Sequence, residues 1–241
     1  MISTNNIIDT HNHSTASGHA YSSLEEMAKD AASRGIPGFV LSDHSPGMPG
    51  SAHSYHFSNL RVLPRKIHGT FVFRGIEANI INSQGEIDID EELCNELEVV
   101  IASLHIPTFP PDGKEAHTSA YIGAMKNPYV KIIGHPDDTR FPYDISRFVQ
   151  AAGETGTIIE VNNSSLRPDT FRVGAEEVYK TLLKECRKQG VRVTLSSDSH
   201  FSASVGCVEH AARQIEEANF PEELIVNLSI ERFLEEFGLE I

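Results

Sequence analysis

Two histidines stand one residue apart in Asp9-Thr10-His11-Asn12-His13, directly after the apolar pair Ile7-Ile8, and a third follows at His19. Strand side chains repeat every two residues, so His11 and His13 can face the same way. Imidazole is the commonest biological metal ligand. Asp9, two residues before His11, is placed to hold a ring N–H from behind. A polar loop with chance histidines would read the same in isolation, so the rest of the chain decides. Similar residues recur where other apolar runs end. His44 follows Gly38-Phe39-Val40-Leu41, Glu77 follows Thr70 to Ile76, and His105 follows the run ending at Leu104. His135 follows Val130 to Ile133, and Asp198 and His200 follow the run ending at Leu195. Only 12 of 241 residues are histidine, yet five of seven run ends carry one, and Glu77 and Asp198 place carboxylates at two of the seven.

Those side chains can act together only if the elements between them bring the run ends to one place. Residues 6–10 read as a first strand. Ser22-x-x-Glu25 is a capping-box pattern, and Leu24, Met27, Ala28, Ala31 and Ala32 fall at helical spacing up to Gly35 and Pro37. Further strands are predicted at 38–41, 70–76, 98–104, 130–133, 157–161 and 191–195. Helices are predicted at 119–126, 144–155, 174–189, 207–218 and 222–237. A broken helix is expected at 59–67 around Pro64, a hairpin at 80–89 around Gly85, and a short acidic helix from Asp90. Near-continuously apolar strands alternating with helices call for a parallel sheet buried on both faces. Seven such units fit a closed or nearly closed α/β barrel better than an open sheet, with the chemistry at the C-terminal ends of the strands. No repeat or linker divides the chain, so residues 1–241 read as one domain.

At such a barrel mouth, His11, His13, His19, His44, Glu77, His105, His135, Asp198 and His200 would converge. Unpaired charge gathered there is costly, and metal coordination relieves it. Nine nitrogen and oxygen donors exceed one tetrahedral zinc site and suit two or three ions with a bridging carboxylate. A donor set without cysteine admits Zn, Mn or Fe and does not choose between them.

The chain resembles the PHP (polymerase and histidinol phosphatase) family along essentially its whole length. The resemblance is carried by Asp9-Thr10-His11-Asn12-His13, Ser42-Asp43-His44, the isolated His135 and Asp198-Ser199-His200. The strings from Gly18 to Ser22, Arg74 to Ile80 and Asn162 to Ser165 look like the stand-alone bacterial phosphatase branch, the YcdX-like proteins. The resemblance implies a distorted (βα)7 TIM-like barrel with three divalent transition-metal ions. One ion would take His11, His13, Glu77 and Asp198. A second would share Glu77 and take His105 and His135, and the third would take His19, His44 and His200.

The expected chemistry is hydrolysis of a small phosphate monoester. Three divalent ions against Glu77 and Asp198 leave roughly +4 in the mouth. A hydroxide held by the ions would be the nucleophile and paired ions would clamp the phosphoryl oxygens. Glu77 and Asp198 therefore count as catalytic as well as ligating. Arg140 and Arg172 are the candidates for phosphate contact, with Arg167 behind them. His53 and His56 could serve the leaving group, and Asp43 could orient its neighbours. His68, His117 and His210 carry no motif and read as structural or solvated, and Cys207 as packing.

Composition bounds the alternatives. At 39% hydrophobic and 22% charged the chain is ordinarily globular. With 34 acidic and 20 basic residues the formal charge is −14, which repels long nucleic acid and anionic membrane. Cys94, Cys186 and Cys207 are an odd, scattered set without a CxxC, as in a reduced cytoplasmic protein. The polar start lacks a signal sequence, and no apolar run approaches the ~20 residues that span a bilayer. Other readings are a phosphodiesterase or nuclease on short nucleotides, a histidinol-phosphate phosphatase, an amidohydrolase-type C–N hydrolase, and a non-catalytic metal-binding module. Amidohydrolases commonly bridge their metals with a carboxylated lysine at the fourth strand end, where this chain has His105; Lys131 lies at the wrong end of the next strand. Nothing in the sequence sets an oligomeric state.

Overall fold

A computed structural model describes residues 2–240. Seven parallel strands follow the order β1 (Ile8–Asp9), β2 (Gly38–Leu41), β4 (Thr70–Asn79), β5 (Val99–Ser103), β6 (Val130–Ile133), β7 (Ile158–Asn162) and β8 (Val193–Ser196). A short β3 (Lys66–Ile67) pairs antiparallel with the start of β4. Helices α1 (Leu24–Ser33), α2 (Ser54–Ser58), α3 (Glu91–Asn95), α4 (Lys114–Met125), α5 (Ile145–Thr155) and α6 (Ala175–Gln189) fill the connections, and α7 (Glu209–Glu217) and α8 (Ile230–Phe237) follow β8. The sheet curls into a nearly closed barrel, the arrangement that seven alternating units fit better than an open sheet.

Strand parity divides the core in two. Phe39, Leu41, Val72, Val100, Ala102, Ile133 and Ile159 pack outward against helix residues such as Met27, Tyr121 and Leu182. Val40, Phe73, Ile101, Ile132 and Ile158, on the opposite parity, cluster with Ile8 and are capped by Phe233 of α8. Two or four residues further along the same inward parity, the chain changes character: Glu77, Ser103 and Glu160 are polar and buried. The barrel interior is therefore apolar at the bottom and polar at the top, where the strands end.

The strands β8 and β1 do not pair along their length, and the gap between them is sealed by Asn227. Its Nδ2 donates to the carbonyls of Ile8 (2.8 Å) and Leu195 (2.6 Å), and its Oδ1 accepts from Leu195 N–H. The N–H of Ile8 donates in turn to the Asn227 carbonyl. Exposed strand edges must be paired or covered, and this segment covers two. It also corrects the expected helix over 222–237. A 3-10 turn spans Glu222–Leu224, an extended stretch carries Asn227 into the gap, and α8 starts only at Ile230, capped by Ser229.

Other boundaries shift for local reasons. The capping box of α1 is Ser23 with Glu26, one residue later than expected, because the Ser22 hydroxyl instead accepts from the Ser202 N–H. The broken helix expected at 59–67 is a 3-10 turn (Asn59–Val62) followed by β3, since a proline at 64 disfavours helix at the residue before it. The hairpin at 80–89 is reduced to one bridge, Ile80 with Ile87. α4 starts five residues before the expected position, at Lys114.

Candidate metal centre

The nine candidate residues come together at the C-terminal ends of the strands. Glu77 is the hub. Its Oε1 lies 2.8 Å from His135 Nε2 and 3.2 Å from His105 Nε2. Its Oε2 lies 2.6 Å from His44 Nδ1, 3.4 Å from His11 Nε2 and 3.6 Å from His13 Nε2. Asp198 Oδ1 approaches His13 Nε2 at 3.3 Å, His200 Nδ1 at 3.7 Å and His11 Nε2 at 3.9 Å. His19 completes the set at the rim, with Nε2 3.0 Å from His200 Nε2 and 3.3 Å from His44 Nε2. Two of the nine residues, His135 and Asp198, hold left-handed backbone, with φ of +25° and +52°, a conformation that non-glycine residues adopt at some cost and that clusters at functional sites.

The donors fit divalent cations. His11 Nε2, His13 Nε2, His44 Nδ1 and Glu77 Oε2 are buried without a hydrogen-bond partner, close to one another but out of bonding geometry. Each such atom costs about 1–3 kcal/mol unless something satisfies it. Three groups of donors have ligand atoms within 4.8 Å of one another: His11–His13–Asp198, His13–His44–His200 and His44–Glu77–His105. The first matches part of the expected first-ion set. The other two cross the expected partition, because His44 turns Nδ1 to Glu77 and Nε2 to His19.

The electrostatics favour deprotonated ligands at most of these positions. Burial and the neighbouring His44 and His200 push His13 well below the usual imidazole range. Burial brings His105 down to about 4. Burial would raise the Glu77 and Asp198 carboxyls, but the surrounding imidazoles, with Arg172 beside Asp198, hold both well below the usual range. His11 is the exception: burial works against its charge, yet Glu160, Glu77 and Asp198 hold it well above the ordinary imidazole value.

The expected supporting role of Asp9 is not seen. Its carboxylate accepts from Ser197 N–H (2.9 Å), Ser197 Oγ (2.5 Å) and Gly206 N–H (2.7 Å), and meets His11 at the main chain rather than the ring. Glu160 faces that ring instead, with Oε1 2.7 Å from His11 Nδ1. Asn79 Oδ1 plays the corresponding part for His105 Nδ1 at 2.8 Å. Neither residue was singled out from the sequence. A signal existed for Glu160: it is the one charged residue in the predicted strand 157–161, and a buried charge needs a partner. Asp43 does orient its neighbours, gripping Ser14 and Ser17 (2.7 Å each), and Ser17 Oγ lies 3.3 Å from His13 Nδ1.

The cluster opens into a cavity of about 580 Å³ that is also lined by Arg140, Arg167, Arg172, Phe171 and Phe201. Arg172 is buried and donates to Asp198 Oδ2 (3.2 Å) and Ser165 Oγ (3.0 Å). Arg140 forks onto Asp138 at 2.6–3.1 Å, and both guanidinium groups lie over the Phe171 ring. Arg167 pairs with Asp169. His53 is exposed and caps α2, while His56 reaches Asp43; neither lines the cavity. His117 is structural, bonding the Pro142 carbonyl and the Asp112 N–H, and exposed His68 pairs with Glu25. Cys207 lies before α7, with its thiol near Arg34 and the Ala203 carbonyl. Lys131, on β6, is exposed. A larger groove of about 720 Å³ elsewhere, lined by Tyr55, Arg61 and Glu92 among others, contains none of the nine. No helix among the described residues is long and apolar enough to cross a membrane.

Known proteins resemble this chain in sequence and in fold. The PHP domain profile matches residues 9–195. A protein of Acetivibrio thermocellus named "probable phosphatase" is 46% identical over 227 residues, 94% of this chain and 93% of its own length. One of Caldanaerobacter subterraneus with the same description is 44% identical, covering 94% of this chain and 89% of its own. Among solved structures, the histidinol phosphate phosphatase of Lactococcus lactis, complexed with zinc, L-histidinol and phosphate, superposes with a TM-score of 0.62. It is 20% identical and covers 90% of this chain and 95% of its own.

Proposed function

The chain belongs to the PHP domain family, and from that premise we propose that it is a metal-dependent hydrolase of phosphate esters, a phosphatase acting on a small monoester. The observation that carries this reading is the set of buried, partnerless donor atoms on His11, His13, His44 and Glu77. The donors His11, His13, His19, His44, Glu77, His105, His135, Asp198 and His200 would hold up to three divalent ions, with Zn, Mn and Fe all compatible with nitrogen and oxygen ligands. When bound, such ions supply positive charge to the phosphoryl oxygens and lower the pKa of a water.

The chain's own residues do the placing. Glu77 presents one oxygen to His105 and His135 and the other to His11, His13 and His44, so it bridges the two sides of the cluster. Asp198 is held from behind by Arg172 and by Asn162 Nδ2, both on Oδ2, which leaves Oδ1 facing the imidazoles. Arg140 and Arg172 line the cavity beside the cluster and are the substrate-facing cations. Residues 1–241 act as one PHP domain in the cytoplasm. The formal charge of −14 speaks for a small phosphorylated substrate rather than a long polynucleotide.

The test is hydrolysis of p-nitrophenyl phosphate against bis-p-nitrophenyl phosphate by metal-reconstituted protein. The expected result is preference for the monoester, with Glu77→Ala and His135→Ala each lowering kcat/KM by about 10³-fold, some 4 kcal/mol of transition-state stabilisation. Preference for the diester would move the reading to a phosphodiesterase. Wild-type rates in either variant would remove the assignment of the site.

A further inference from the structure

Glu160 lies on β7 with the inward parity of Ile158, fully buried among the polar residues at the top of the barrel. Both of its oxygens are committed. Oε1 accepts from Ser196 Oγ and faces His11 Nδ1 at 2.7 Å. Oε2 accepts from Asn162 Nδ2 at 3.2 Å and from the main-chain N–H of His135. One carboxylate thus grips the ring of a histidine that follows β1 and the backbone of a histidine that follows β6. It belongs to none of the three groups of donors close enough to share an ion.

We infer that Glu160 is a positioning residue for the metal centre: it fixes the tautomer of His11 and the backbone of His135, and so sets the affinity of the cluster for divalent ions. The inference rests on the reading that the cluster binds such ions. An ionised carboxylate has no proton to give, so the hydrogen between it and His11 Nδ1 belongs to the imidazole. A neutral His11 then carries its lone pair on Nε2, the atom that faces Glu77 and Asp198 and has no partner. A carboxylate behind a ligating histidine also raises the basicity of the far nitrogen. The second oxygen holds His135 N–H where the chain adopts its left-handed φ of +25°, and the ring then reaches Glu77 Oε1.

Glu160→Gln separates this role from packing. The side chain keeps its size, but only one oxygen remains. The His135 N–H can only donate, so the amide oxygen is drawn to it and the amide NH2 is left facing His11 Nδ1. His11 must then accept at Nδ1 and carry its proton on Nε2, pointing into the cluster. The expected result is 10–100-fold weaker binding of Zn2+ and Mn2+ in competition with a chromophoric chelator, with an unchanged circular dichroism spectrum. A variant that binds both ions within twofold of wild type overturns the inference. Should Glu160→Gln fail to fold, the wild-type protein answers the same question. Nitrogen-15 NMR of the zinc-loaded chain should show His11 bound through Nε2 with a proton on Nδ1, and zinc on Nδ1 overturns the inference. Wild-type protein that binds neither ion takes down this inference together with the metal-centre reading, whereas normal loading of both wild type and Glu160→Gln removes only the role of Glu160.

Discussion

Two regions of the barrel bury polar atoms with opposite results. At the β1–β8 seam, fully buried Asn227 gives its amide hydrogens to two carbonyls and its oxygen to one N–H. At the mouth, His11, His13, His44 and Glu77 are just as deeply buried and keep four donor or acceptor atoms without partners. Burial is the same, and satisfaction is the difference. A satisfied buried amide fixes one arrangement of the chain. An unsatisfied cluster stores a cost that a suitable ligand can remove, which is how a site comes to demand an ion. The two regions are neighbours in the fold: β1 and β8 run from the seam into the loops that carry His11, His13 and Asp198.

The largest test of this contrast is ion removal. Stripping the mouth of divalent ions should leave helix content intact but lower stability, since ligand at about 1,000 times its Kd contributes about 4 kcal/mol. In a domain of this size that is roughly 10 °C in Tm, read by calorimetry with and without chelator. An unmoved Tm would erase the distinction between mouth and seam. Next, Asn227→Ala should cost about 3 kcal/mol in urea unfolding, because the Ile8 and Leu195 carbonyls and the Leu195 N–H lose their shared partner. The folded fraction should still take up its full complement of ions. A variant that folds normally but loses ions would mean that the seam and the mouth are one unit.

The smallest effect lies at the other end of the strands, where charge is paired within the chain. Glu98, just before β5, accepts from both Arg65 Nη groups and from the Arg74 N–H (2.7 Å). Burial would raise its carboxyl, but Arg65 and the Arg74 amide hold it below the usual value of 4.5. A carboxyl depressed in the folded state stabilises above its unfolded pKa, and that contribution is lost as pH falls through the folded value. Glu98→Gln should therefore cost about 1 kcal/mol at pH 7, with the difference from wild type closing once pH drops below 4.5. A gap that stays constant down to pH 3 would show that the pair acts through shape and not charge.

The sequence by itself determined which residues end each strand, that the strands are parallel and buried, and therefore that nine histidine, glutamate and aspartate side chains meet at one mouth. Those facts follow from local periodicity: apolar runs report burial, and strand ends in such a barrel share one face. What only the tertiary structure decided is who partners whom behind that face. Glu160 meets His11 across 149 residues, Asp9 meets the Ser197 hydroxyl across 188, and Asn227 meets Ile8 across 219. Parity shows that Glu160 points inward, but the atom it meets depends on the register and closure of distant strands. Asp9 stands two residues from His11 and yet serves another loop, because the end of a two-residue strand directs it there. Spacing along a chain reports which side chains share a surface, and hydrogen bonds between distant segments are fixed only when the barrel closes.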